Sequence, residues 1–219
     1  MNIDLHAHTF PSSDDCVMSP DELVEAAKGV GLDGVCVTEH DRFWDMAEIQ
    51  ALSKRHGFLV LPGCEVNTDG GHVLVFGQDR YVFGMHKVET LRRLVDLAHG
   101  VMVAAHPHRR RFLQERDAGP EGPGPMLDQA CSDPFFAYCD ALEALNGRAT
   151  EGESAFSLEL GSRLGKPMTG GSDSHRQSQM GTVATRFHDR ITCLDDLIRE
   201  IKAGRCDAMA LKLGGVERP

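Results

Sequence analysis

The chain of 219 residues carries 33 acidic and 23 basic side chains, a formal charge of −10 with the histidines neutral. That length holds one substantial core near the size of a single α/β barrel, and the acidic balance argues against a broad basic surface for nucleic acid. No stretch approaches a membrane span, the start lacks the basic and apolar regions of a signal peptide, and none of the seven cysteines forms a CxxC pair, so a cytoplasmic chain with reduced, buried thiols is expected.

Short apolar runs alternate with amphipathic segments along the chain. "NIDLHAH" (2–8) is a strand candidate. "SPDELVEAAKGVG" (19–31) carries a helix start, with Ser19 as N-cap, Pro20 at the first position, Glu22 three residues after the cap and a glycine stop. "DGVCVTEH" (33–40) is a second strand, "DMAEIQALSKRHG" (45–57) a second helix and "FLVLPGCEV" (58–66) a third strand. After the turn "NTDGG" come the strand "HVLVFG", the helix "KVETLRRLVDLAHG" and the strand "VMVAAH" ending at His106. "DAGPEGPGPMLD", from Asp117 to Asp128, reads as a long loop. The pattern resumes with "DALEALNG", a helix over "ESAFSLELGSRLG", "KPMTGGSDSH", "MGTVATRF", the helix "CLDDLIREIKAG" and the apolar run "DAMALKL". Repeated βα units with buried, β-branched strands predict a mainly parallel sheet, and a barrel within a single domain over 1–219.

Chemistry-bearing side chains collect at the ends of these strands. His6 and His8 end the first, His40 and Asp41 the second, Glu65 the third and His106 the strand after the third helix, while Asp173 and His175 follow "MTGG". His72 begins its run instead of ending it. In a closed parallel barrel, strand C-termini converge on one face, where distant residues meet. Positions two apart on a strand point the same way, so His6 with His8, and Asp173 with His175, can reach one ion. A His/Asp/Glu cage suits zinc, manganese or iron without thiolates, and cations relieve the cost of burying so many such groups. His56, His86, His99, His108 and His188 lie in helical or loop contexts and read as ordinary hydrogen-bonded residues.

Taken in order, "DLHAHTF", "TEHD", "PGCEV", "HVLVFG", "AAHPHR" and "GGSDSH" resemble the polymerase and histidinol phosphatase (PHP) family of metal-dependent phosphoesterases. The resemblance implies a distorted seven-stranded (βα) barrel, TIM-barrel-like, with two to three divalent ions at the strand C-termini. By that resemblance His6, His8, Glu65 and Asp173 hold one metal, Glu65 bridges to a second completed by His106 and His72, and Asp15, His40 and His175 take a third. Asp14 competes with Asp15 for that place. Cys16 replaces the glycine, and Glu39 the aspartate, usual in the matching motifs. Arg109 corresponds to an arginine that grips substrate phosphate, suited by its guanidinium fork, and Asn146 to a strand-end residue lining the pocket. Arg110 and Arg111 read as solvated, Cys16 as structural, Cys64 as core and Glu143 as part of the barrel interior.

Charge then implies the mechanism. Two close cations lower the pKa of a shared water, so that a bridging hydroxide attacks phosphorus in line, while the third cation and Arg109 neutralise the phosphoryl oxygens. Asp41 and a metal-bound water are the two candidates for protonating the leaving alkoxide. The expected substrate is a small phosphomonoester, because a single helical segment joins "HVLVFG" to "VMVAAH" and leaves no room there for an inserted substrate domain. Action on a nucleotide or oligonucleotide 5′ end is the enzymatic alternative, although few aromatic residues argue against single-strand binding. A metal- or phosphate-binding module without turnover is the third reading.

Overall fold

A computed structural model describes residues 1–13, 15–109 and 124–211. Asp14, Arg110, Arg111 and the first part of the Gly/Pro-rich stretch, 117–123, lie outside the described residues. The chain opens with β1 (Asn2–Asp4), α1 (Pro20–Gly29), β2 (Gly34–Val37) and α2 (Met46–His56). Helix α1 begins where the sequence predicts: the Ser19 hydroxyl accepts from the Glu22 amide, and the Glu22 carboxylate accepts from the Ser19 amide at 2.8 Å. This reciprocal cap satisfies two donors that the first helical turn leaves free. At the far end of α2, Gly57 takes the left-handed conformation (φ 58°) that stops the helix.

The run "FLVLPGCEV" is two strands rather than one, β3 (Leu59–Pro62) and β4 (Cys64–Thr68), and they belong to different sheets. Pro62 has no amide to offer a ladder. Gly63 occupies a gap where a Cβ would stand 2.6 Å from the Phe76 ring and 2.9 Å from Thr38 Cγ2. The chain continues through β5 (Gly71–Phe76), α3 (Val88–Leu97), β6 (Val101–Ala104), α4 (Gly124–Cys131), α5 (Phe135–Tyr138) and β7 (Ala141–Asn146). Residues 124–128, read from sequence as loop, thus start a helix, and Leu127 and Ala130 of that helix are buried in the core. Helix α6 (Glu151–Leu164), β8 (Met168–Gly171), β9 (Val183–Phe187), α7 (Leu194–Lys202) and β10 (Cys206–Ala210) complete the described fold.

The expected closed seven-stranded barrel is not formed. The strands make two five-stranded sheets, ordered β10-β9-β1-β2-β3 and β4-β5-β6-β7-β8. Nor is the arrangement mainly parallel, because β1–β9, β9–β10, β4–β5 and β5–β6 all pair antiparallel. Two local features separate the sheets. The first is the Pro62–Gly63 break. At the β8–β9 seam, the Thr185 hydroxyl donates to the Gly170 carbonyl (2.8 Å) and accepts from the Gly170 amide (2.9 Å), standing where a backbone ladder partner would be. Isolated bridges, Ala7 with Ser174 and His40 with Glu65, join the sheets at the end that carries the histidines.

Alternation along the strands decides what each face buries. Cys36, Leu74 and Phe76 enter a core shared by both sheets and closed by Leu197, Ile198 and Ile201 of α7. Val35 and Val37 point the other way, onto α1 and α2, and Val73 and Val75 join the core beneath α3 to α6. All seven cysteines are free thiols, with Cys16, Cys36, Cys64, Cys139 and Cys206 buried. Among the described residues, no helix is long and apolar enough to cross a membrane.

Helices α1 and α2 are tied by His56, whose Nε2 lies 2.6 Å from Asp21 and whose Nδ1 lies 2.8 Å from Glu25. The two carboxylates raise the imidazole pKa above its usual 6.5. The protonated ring therefore stabilises the fold fully below that unfolded value, and the contribution fades as pH rises through the higher folded value. His56→Gln is expected to lower Tm by about 2 °C near pH 6 and by less near pH 9. Thermal melts across that range check this; a deficit that grows with pH contradicts it.

Candidate metal centre

Strand ends and the turns after them carry the site. The extension of β1 carries His6 and His8, β4 carries Glu65, the end of β6 carries His106, and the turn after β8 carries Asp173 and His175. Asp41, His106 and Asp173 take positive φ values of 52°, 28° and 53°. Left-handed backbone at residues other than glycine costs about 1–3 kcal/mol each, so the turns around the cluster hold their side chains against a local preference.

Four donor atoms face one another at its base. His6 Nε2 lies 3.2 Å and His8 Nε2 3.3 Å from Glu65 Oε2, and the same nitrogens lie 3.7 and 3.5 Å from Asp173 Oδ1. Ligand atoms placed tetrahedrally about 2.05 Å from a cation stand about 3.3 Å apart, so this spacing matches a coordination shell. His6 Nε2, His8 Nε2, Glu65 Oε2 and His175 Nε2 are buried without a hydrogen-bond partner. Leaving such atoms unpaired is costly, and a divalent cation satisfies them together. The residues fit a divalent cation.

The cluster is strongly polarised. Burial pushes the His6 imidazole down, but Glu143, Glu65 and Asp173 outweigh it and hold the ring well above the usual histidine range. Burial likewise pushes the Glu65 and Asp173 carboxyls up, yet His6 and the neighbouring imidazoles bring both far below the usual carboxylate range. Both acids are thus anionic at neutral pH, as ligands require. His106 is lowered by burial, and His175 by burial and by His8.

Glu65 joins this base to the rest. Its other oxygen, Oε1, lies 2.7 Å from His72 Nδ1 and 2.9 Å from His106 Nε2. His40 stands between two groups, with Nδ1 3.0 Å from Glu65 Oε2 and Nε2 3.8 Å from Asp15 Oδ2. Asp15 Oδ2 is also 3.0 Å from His175 Nε2. Donor atoms of His8, His40 and His175, and of His40, Glu65 and His72, come close enough to share an ion. Asp15, His40, Glu65, His72, His106, Arg109, Arg148, Asp173 and His175 line one pocket of about 270 Å³.

Other predicted residues do different work. The Asp41 carboxylate accepts from the Asn67 amide at 2.9 Å and does not line the pocket. Glu39 accepts from Trp44 Nε1 (3.2 Å), Ser13 Oγ (2.6 Å) and the Thr9 amide and hydroxyl, and so anchors the loop after His8. The Cys16 thiol donates to the carbonyls of His8 and His175, and Cys64 packs in the core.

Two residues escaped the sequence reading. Glu143, read as interior filling, is buried with Oε1 2.8 Å from His6 Nδ1 and Oε2 accepting from the His106 amide at 2.8 Å. It holds the Nδ1 proton of His6, so that Nε2 is the nitrogen that would give up its proton to a bound cation. Arg148, two residues beyond the Asn146 strand end, lines the pocket; only that position could have signalled it. Glu143→Gln substitutes an amide NH₂ for one of two accepting oxygens, so metal affinity is expected to fall roughly 10- to 100-fold. Chelator competition checks this; unchanged affinity contradicts the role assigned to Glu143.

The PHP domain model matches residues 4–120, more than half of the chain, and a PHP-associated model matches 155–206. An uncharacterized protein of Methanocaldococcus jannaschii is 28% identical over 121 residues, covering 49% of this chain and 68% of its own length. A PolC-type DNA polymerase III of Oceanobacillus iheyensis is 34% identical over 83 residues, 37% of this chain but 6% of that polymerase. A Bacteroides vulgatus two-domain protein, containing a predicted PHP-like metal-dependent phosphoesterase, has a similar fold. Its TM-score is 0.68 at 17% identity, over 96% of this chain and 65% of that one. The family match spans the strand ends that carry His6, His8, His40, Glu65, His72 and His106, and the chain belongs to the PHP domain family.

Proposed function

We propose that the chain is a metal-dependent phosphoesterase that hydrolyses a small phosphomonoester. The observation that carries this reading is the group of buried donor atoms without hydrogen-bond partners on His6, His8, Glu65 and His175, beside a pocket that two arginines also line. In this reading His6, His8, Glu65 and Asp173 hold one ion, Glu65 with His72 and His106 a second, and Asp15, His40 and His175 a third. Imidazole and carboxylate donors without thiolate suit zinc, manganese or iron. Divalent cations held there supply Lewis acidity and make a water acidic enough to lose a proton near neutral pH.

The chain's own groups set the rest. Glu143 holds the proton at His6 Nδ1, and the Asp173 carbonyl, 2.9 Å from His175 Nδ1, fixes the second ring the same way. Arg109 and Arg148 place positive charge at the pocket wall, where the phosphoryl oxygens gain charge in the transition state. The Asp41 carboxylate, one of the two candidates for protonating the leaving alkoxide, accepts from the Asn67 backbone amide and is not among the residues that line the pocket. A pocket of about 270 Å³ falls below the ~300–1,000 Å³ of drug-sized ligand sites, which favours a small phosphorylated substrate. A second cavity of about 290 Å³ shares His72, His106 and Arg109 and runs along Asn67 to Gly71, leaving room for the alcohol part. Another cavity, of about 860 Å³ along α2 and β3, contains none of the donor residues.

Similarity to a stretch of a DNA polymerase supports a second reading, cleavage at a nucleotide or oligonucleotide 5′ end. One assay separates the readings: metal-stripped and Mn²⁺- or Zn²⁺-loaded protein is offered phosphomonoesters, dinucleotides and short oligonucleotides. Phosphomonoester turnover that disappears with chelator and returns with metal is expected. Faster release of mononucleotides favours the second reading. Full metal occupancy with no turnover leaves a binding module, and chelator-insensitive turnover contradicts the metal-dependent account.

A further inference from the structure

The cavity beside the metal pocket is walled by the hairpin of β4 and β5. Along β4, Cys64 and Val66 enter the hydrophobic core, so Glu65 and Asn67 face the other way. Asn67 is therefore the next side chain outward on the face that carries the Glu65 carboxylate, about 7 Å along the strand. In the antiparallel register it stands directly opposite His72, at a separation where cross-strand side chains interact. Glu65 is buried and Asn67 is exposed. Asn67, His72, His106 and Arg109 all line the cavity of about 290 Å³.

The other polar side chains of the hairpin turn are already engaged. The Thr68 hydroxyl donates to the Gly71 carbonyl (2.5 Å) and accepts from the Gly70 amide (3.2 Å). The Asp69 carboxylate accepts from the Val88 amide at 3.1 Å and lies 3.1 Å from Lys87 Nζ. Asn67 differs: its backbone amide is fixed by Asp41, while its carboxamide has no hydrogen-bond partner among the described residues. Nor does the turn offer an apolar surface. A Cβ on Gly70 would collide with the Phe135 ring, and Gly71 takes a φ of 137° that suits glycine. Among the described residues that line the cavity, none has a purely hydrocarbon side chain.

We infer that Asn67 reads the alcohol part of the substrate, and that this part is polyhydroxylated, as in a sugar or polyol phosphate. The inference rests on the phosphoesterase reading and names its substrate class. The cavity shares His72, His106 and Arg109 with the metal pocket, so the carbons of an ester whose phosphoryl group occupies that pocket can run out beside Asn67. A carboxamide offers two donors and two acceptor lone pairs, and a hydroxyl pairs with it in either sense. An alkyl or aryl group there strips water from Asn67 and returns no hydrogen bond. The ribose of a nucleoside monophosphate presents the same hydroxyl chemistry, so both sources belong in the test.

Zn²⁺-loaded wild type and Asn67→Leu are titrated by calorimetry with dihydroxybutylphosphonate and butylphosphonate, which resist hydrolysis and differ only in the hydroxyls. Wild type is expected to bind the dihydroxy compound about 10-fold more tightly, and Asn67→Leu to show a preference of about twofold or less. Zn²⁺ affinity by chelator competition stays at the wild-type level in the variant. Turnover of glycerol phosphate, a hexose phosphate, a nucleoside monophosphate and ethyl phosphate is compared for the same two proteins. In the variant, KM for the hydroxylated esters rises more than kcat falls, and KM for ethyl phosphate does not rise. Faster turnover of the hexose or glycerol ester supports a free sugar or polyol as the source, and faster turnover of the nucleotide supports a ribose; either keeps the role of Asn67. No preference of wild type for the dihydroxy compound, or an equal loss of both phosphonates in Asn67→Leu, overturns the role and leaves phosphoesterase turnover standing. If wild type turns over no ester, the phosphoesterase reading falls on its own, and the phosphonate pair still decides Asn67.

Discussion

Glu65 is a buried carboxylate surrounded by five imidazoles: His6, His8 and His40 at one oxygen, His72 and His106 at the other. Removing a carboxylate from water is costly unless charge or hydrogen bonds compensate it, and here compensation comes from both sheets. Glu65 sits on β4, whose bridge to His40 is one of the isolated contacts joining the two sheets. The break at Pro62 and Gly63 lets β4 leave the first sheet and join the second. The same break carries Glu65 to the seam, where histidines from β1, β5 and β6 can reach it. Fold and site are therefore one arrangement: separating the sheets would leave the most heavily partnered acid of the site without its neighbours.

Around that acid, the groups that touch the ion site and those that aim them can be told apart. Glu143 sets His6 and fixes the His106 backbone, Glu39 fixes the loop after His8, and Asn146 distributes hydrogen bonds among Glu143, Asp173, Arg109 and the Arg148 amide. Outer groups of this kind govern ring orientation and donor strength as much as the ligands do. In the proposed reading, a compact anionic substrate has its charge met locally, by cations and guanidinium groups, rather than by a broad basic face.

Much of this was legible in the sequence, for physical reasons. Helix α1 declares its start through Ser19, Pro20 and Glu22, and the strand-end histidines and acids recur too regularly along the chain to be unrelated. The resemblance carried by "DLHAHTF", "PGCEV" and "GGSDSH" brought together residues whose donor atoms the structure places within a few ångströms of one another. Sheet organisation was less legible. "FLVLPGCEV" is one uninterrupted apolar run, and nothing in its pattern tells a reader that Pro62 and Gly63 divide it between sheets. Strand direction leaves no mark on apolar alternation, so the antiparallel pairs of β4, β5 and β9 read as parallel. Thr185 replaces a backbone ladder with its hydroxyl, a role that depends on the approach of Gly170 and on no local signal. Glu143 sits in "ALEAL", where an acid between apolar neighbours looks like filling.

The central claim is that His6, His8, Glu65 and Asp173 form the shell of a divalent cation. Anomalous diffraction from crystals grown with zinc or manganese tests it most directly. The account predicts a peak about 2.0–2.2 Å from His6 Nε2, His8 Nε2, Glu65 Oε2 and Asp173 Oδ1, with Glu143 still bonded to His6 Nδ1. A metal-loaded crystal with no peak there, and these four side chains paired with one another or with water instead, would contradict it.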